Sequence, residues 1–89
     1  MMIQYHLIVS GKVQGVGFRY FVQMKAIHYD VTGWVKNLEN GSVEIVASAC
    51  KEALLSFIKE IKKGNRFISV EHLDIREEIP SGFTSFKIR

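Results

Sequence analysis

Cysteine and proline are almost absent: the 89-residue chain holds one of each. A single thiol, Cys50, cannot close an internal disulfide or build a multi-cysteine metal site. It falls between a strand-like and a helix-like segment, where a buried or half-buried inert thiol is expected. One proline in a chain that is 47% hydrophobic leaves no composition for a disordered tract. Long apolar runs are missing as well. None approaches the roughly 18 residues of a membrane span, so no membrane association is expected. The start, Met1 to His6, has neither the charged region nor the apolar stretch of a secretory signal, and the expected location is the cytoplasm. The three histidines, His6, His28 and His72, stand on separate predicted elements without the spacing that gathers metal ligands on one helix face. Neither a metal nor a cofactor is expected.

What the chain does have is regular patterning. Ile3, Tyr5, Leu7 and Val9 alternate with more polar residues and predict a half-buried first strand. Phe18, Phe21, Val22, Ala26 and Tyr29 recur at helical spacing, so a helix is predicted from Phe18 to about Tyr29. A second strand is predicted from Val31 to Leu38, and Glu39-Asn40-Gly41-Ser42 closes it into a hairpin, with Asn-Gly as the turn signal. Val43, Ile45 and Ala47 alternate as the third strand. Leu54, Phe57, Ile58 and Ile61 mark a second helix starting near Lys51, with Lys62 and Lys63 at its negative end and Gly64 as its cap. Val70 to Glu77 predicts a fourth strand, and Thr84 to Ile88 a short closing one after the turn Ile79-Pro80-Ser81-Gly82. The order predicts a single domain over residues 1–89 with the α+β, ferredoxin-like split βαβ architecture: an antiparallel sheet with two helices on one face and a short closing strand.

That architecture hosts many activities, so function must be sought in local chemistry. The formal charge of +3 favours an anionic partner. Ser10-Gly11-Lys12-Val13-Gln14-Gly15-Val16-Gly17-Phe18 carries three glycines and opens directly into the first predicted helix. Glycine allows positive φ and close backbone approach, and successive N–H groups in such a turn converge on an anion. A helix N-terminus adds unpaired N–H groups and a partial positive charge. Arg19 in the first turn works against the helix dipole, which an anion seated between the two would relieve; its planar fork also matches phosphate oxygens. The competing reading is a structural turn with a solvated arginine. A dinucleotide fingerprint is a poor match because Tyr20 stands where the third glycine belongs, and no Gly-Lys-Ser/Thr follows to make a P-loop.

Asn37 is out of character in a strand. It either helps the hairpin turn begin or uses its paired donor and acceptor to orient a water molecule. Gly11-Lys12-Val13-Gln14-Gly15-Val16-Gly17-Phe18-Arg19 resembles the first signature of the acylphosphatase family, and Gly33-Trp34-Val35-Lys36-Asn37-Leu38-Glu39-Asn40-Gly41-Ser42-Val43 resembles the second. The similarity in length and element order spans essentially the whole chain. Ala49 stands where the second signature ordinarily ends in glycine, a position expected in the turn leading to the second helix.

The resemblance implies an enzyme that hydrolyses the carboxyl–phosphate bond of acyl phosphates by direct attack of water, without metal or covalent intermediate. It implies that the backbone N–H groups of Gln14, Gly15, Val16, Gly17, Phe18 and Arg19, with the Arg19 side chain, hold the phosphoryl oxygens, and that Asn37 positions the water. The expected partners are a small-molecule acyl phosphate and inorganic phosphate, the latter as product and inhibitor. A monomer without nucleic-acid partners is expected. The alternative reading is a non-catalytic phosphate-binding or RNA-binding ferredoxin-like module. RNA binding would ordinarily need an aromatic pattern on the central strands, and no such run is present.

Overall fold

The computed structural model describes all 89 residues, Met1 to Arg89. The elements follow in the order β1 (Ile3–Lys12), α1 (Phe18–His28), β2 (Thr32–Asn37), β3 (Val43–Ala49), α2 (Lys51–Lys63), β4 (Ser69–Glu78) and β5 (Phe86–Ile88). They form one five-stranded sheet in the spatial order β4-β1-β3-β2-β5. Four strands pair antiparallel, but β5 runs parallel to β2 through Gly33–Phe86, Trp34–Lys87 and Val35–Ile88. The sheet is therefore mixed rather than purely antiparallel. After β4 the chain crosses from one edge of the sheet to the other before pairing, and this sets the direction of the last strand. The closing strand is also shorter than its predicted span from Thr84.

Register explains the core. Leu7 sits opposite Ile45, Val9 opposite Val43, and Val35 opposite Ile45 on the far side, so one face of the central strands is a continuous aliphatic layer. The helices cover it with Phe18, Val22 and Ala26 from α1 and Leu54, Phe57, Ile58 and Ile61 from α2, all buried. The spacings of three and four residues place each set on one helical stripe. Phe57 meets Phe86 of β5 edge-on at 6.3 Å between ring centres, tying the last strand to the second helix. Burying side chains of this size contributes about 1.5–3 kcal/mol each before entropy is counted. Lys25 of α1 reaches Glu60 of α2 at 3.2 Å and adds a polar tie between the helices.

The opposite face carries Gln4, His6 and Ile8 from β1 and Glu44, Val46 and Ser48 from β3, none of them Phe, Tyr or Trp. His6 Nε2 lies 2.7 Å from Glu44 Oε2 on this face. Simple alternation points Gln4 to solvent, yet it is only 2% exposed. The segment after β4 folds over it: Gln4 donates to Glu78 at 2.7 Å and to Ser81 Oγ at 3.0 Å, and accepts from the Ser81 N–H at 2.8 Å. A buried amide so fully paired avoids the penalty of desolvation.

Two further expectations are corrected. Cys50 is exposed, because it caps α2 from an extended conformation outside the sheet. Ala49 is the last residue of β3, paired with Ile3 and buried, not part of the turn into α2. Its φ is not positive, so alanine fits there without strain and adds a methyl group to the core.

Candidate active site

The loop between β1 and α1 is shaped by two left-handed glycines, Gly15 at φ 73° and Gly17 at φ 76°. A β-carbon at either would meet nothing within 4 Å, so glycine is needed there for its backbone angle and not for space. Gly17 is the N-cap of α1, and no side chain caps the helix. The first main-chain N–H in this segment to find a carbonyl is that of Phe21, which donates to Gly17 O at 3.0 Å. The N–H groups from Gly15 to Tyr20 thus remain as donors at the positive end of an 11-residue helix.

Side-chain charge at this end is inverted relative to the usual pattern. α2 places Glu52 in its first turn and Lys62 and Lys63 in its last, as the dipole favours. α1 has no acid in its first turn and carries Arg19 there instead. Arg19 is half-buried, and its Nη1 donates to the main-chain oxygen of Arg89 at 2.8 Å. With backbone donors and a guanidinium converging, this end of the helix is built for negative charge.

Asn37 comes from a strand that does not pair with β1, since β3 lies between them. The fold nevertheless brings it to the same cleft. A concavity of about 240 Å³ is lined by Val13, Gly15, Gly17, Phe18, Arg19, Tyr20, Asn37 and Ile88. Asn37 ends β2 opposite Val43, is exposed, and spends no hydrogen bond on the hairpin turn. Asn40 closes that turn instead, with its Oδ1 accepting from the Ser42 N–H at 2.9 Å, while the Leu38 N–H donates to Ser42 O at 2.8 Å. The Asn37 carboxamide is left with both donor and acceptor available.

Of the residues singled out in the sequence, Gly15, Gly17, Phe18, Arg19 and Asn37 meet in the cleft, whereas Gln14 and Val16 do not line it. The Gln14 side chain turns to the hairpin, where its Nε2 donates to Leu38 O and to Ser42 O, both at 2.8 Å. Val13, Tyr20 and Ile88 are lining residues that sequence reasoning missed. Tyr20 directly follows Arg19 in the same helical turn and could have been inferred from that. Ile88 offers no local signal, because only the parallel pairing of β5 with β2 brings it near.

The cleft of this small α+β domain of the split βαβ kind thus joins a glycine loop with unpaired N–H groups, an arginine and an asparagine. The acylphosphatase family model matches residues 5–88. An acylphosphatase of Bacillus licheniformis is 49% identical over 88 residues, 98% of either chain, and one from Clostridium beijerinckii is 54% identical over 74 residues, 83% of this chain and 82% of the other. The crystal structure of acylphosphatase from Bacillus subtilis superposes with a TM-score of 0.95 at 46% identity, covering 100% of this chain and 99% of that one. The chain belongs to the acylphosphatase family, and its activity is the hydrolysis of acyl phosphates.

Proposed function

We propose that the cleft holds the phosphoryl group of a small acyl phosphate on the main-chain N–H groups of Gln14 to Arg19 and on the Arg19 guanidinium, while Asn37 orients the attacking water. The observation that carries this reading is the meeting of three features in one cleft: unpaired backbone donors, an arginine at a helix N-terminus and an asparagine with a free carboxamide. Phosphoryl transfer asks a protein mainly for positioning and for stabilisation of charge on the equatorial oxygens. These groups supply both.

The water oxygen forms a bond to phosphorus as the bond from phosphorus to the acyl oxygen breaks. The electron pair leaves on the carboxylate, and both hydrogens of the water finish on phosphate. The conjugate acid of the leaving group has a pKa of about 4, so the carboxylate departs without protonation and no protein acid is required. No protein atom becomes covalently linked to phosphorus along this path. Since every group is supplied by one chain, the site is complete in a monomer. A cytoplasmic enzyme is consistent with a chain in which no helix is long and apolar enough to cross a membrane.

The test is hydrolysis of benzoyl phosphate in the presence of a chelator. Undiminished turnover is expected, with inorganic phosphate inhibiting competitively because it fits the same donors. Turnover that needs added metal, or phosphate inhibition that is not relieved by substrate, would overturn the mechanism.

A further inference from the structure

We infer that the side chain of Gln14 is a positioning residue for hydrolysis, setting the distance between the phosphate-holding loop and Asn37. The inference rests on the reading of Asn37 as the group that orients water.

The two halves of the site have no direct backbone connection. β1 and β3 stay paired only as far as Val9 opposite Val43; β1 then runs on to Lys12 against β4 alone, and the loop leaves the sheet after it. Asn37 sits at the same end of the sheet, but on β2 and one strand further across. No main-chain hydrogen bond joins residues 13–17 to residues 38–42. Gln14 bridges that gap. Its Nε2 donates one N–H to Leu38 O and the other to Ser42 O, across 24 and 28 residues of sequence, both at 2.8 Å.

The chemistry of the bridge selects a carboxamide. Two carbonyl oxygens face the same atom, so that atom must carry two hydrogens, and the amide can be oriented only one way. Leu38 follows Asn37 directly, so its carbonyl is held one residue from the carboxamide that would orient the water. The same two carbonyls also accept from main-chain donors: Leu38 O from the Gly41 N–H at 3.3 Å, and Ser42 O from the Leu38 N–H at 2.8 Å. Losing the Gln14 side chain therefore leaves neither oxygen unpaired, and the hairpin turn keeps its own closure. The Gln14 contacts hold the loop and the hairpin in register more than they hold the fold together.

The experiment is a double-mutant cycle between Gln14→Leu and Asn37→Ala, read as kcat, KM and the inhibition constant of inorganic phosphate with benzoyl phosphate as substrate. Gln14→Leu keeps a branched side chain, one bond shorter, and removes both donors. Its kcat is expected to fall by about 10- to 100-fold, the scale associated with misplacement of around an ångström. The phosphate inhibition constant should change by less than about threefold, because the backbone donors stay in the loop. In the Asn37→Ala background the same change should alter kcat by less than about twofold, since the group being positioned is gone. Equal losses in both backgrounds would overturn the inference and assign Gln14 a general structural role. An Asn37→Ala enzyme with unaltered kcat would instead overturn the underlying reading of Asn37. Gln14→Glu supplies a second measurement. Ionised, its carboxylate faces two carbonyl oxygens and should cost more than leucine; protonated, it regains one donor, so its rate relative to the parent should recover toward acid pH. A flat ratio across pH would also overturn the inference.

Discussion

Arg19 and Arg89 meet through a side chain and a backbone: the guanidinium Nη1 donates to the main-chain oxygen of Arg89 at 2.8 Å, across 70 residues. The Arg89 N–H in turn donates to Val35 O at 2.8 Å, on β2, the strand that ends in Asn37. The guanidinium of Arg89 lies elsewhere, 4.7 Å from the centre of the Trp34 ring. One arginine thus faces the cleft while the other only frames it.

These geometries separate two substitutions. Arg19→Ala is expected to lower acyl phosphate turnover by about 10³-fold, the scale of arginine in other phosphoryl-transfer sites. Circular dichroism should show the fold intact, because the lost contact is exposed. Arg89→Ala keeps the main-chain oxygen and loses only the stack on Trp34, worth about 0.5–1 kcal/mol at an exposed site. Its turnover should stay within about twofold of the parent, a small effect for a change outside the site.

Asn37→Ala should reduce kcat by about 10²-fold, a loss of water orientation rather than of binding. The inhibition constant for inorganic phosphate is expected to move far less. Steady-state kinetics with phosphate as inhibitor distinguishes this from a general loosening of the cleft, which would weaken both.

Alanine at two glycines should have unequal costs. At Gly15 the backbone is left-handed but the space is open, so Gly15→Ala should lose about 1–2 kcal/mol from the φ preference alone. At Gly33, φ is 138° and a β-carbon would be driven into the carbonyl of Val46 on the neighbouring strand. Gly33→Ala should lose on the order of 3 kcal/mol or more. Urea unfolding of both variants measures the difference.

Stability should weaken in acid partly through Glu60. The hydrogen bond from Lys25 holds the Glu60 carboxyl below its ordinary pKa, helped by the nearby charges of Lys25, Lys63 and Lys59. A carboxyl whose folded pKa is depressed stabilises the fold at pH values above its unfolded pKa, roughly 4.3 for glutamate. That stabilisation is lost as pH falls through the lower, folded value. Glu60→Gln should therefore melt at a lower temperature than the parent at neutral pH, and the gap should close in acid. A gap that stays constant down to acid pH would show that the helix-to-helix tie does not titrate.

Much of this molecule is written in local pattern. Alternation in β1 and β3, helical stripes in α1 and α2, the Asn40-Gly41 turn and the Gly64 cap at φ 59° are all visible along the chain, because each depends on neighbours within a few residues. The glycine loop and Arg19 stand out as a candidate anion site for the same reason: donors, dipole and charge lie within ten residues. Pairings between distant segments decided the rest. The direction of β5, the burial of Gln4 under the Ser81 segment, the placement of Ile88 and the meeting of Asn37 with the loop each join residues far apart in sequence. Gln14 shows the boundary most clearly. Its backbone position in the loop followed from the motif, but its carboxamide acts on a hairpin 24 residues away. Hydrogen bonds of that kind depend on how a sheet twists and which strand lies between, and a linear pattern does not carry that information.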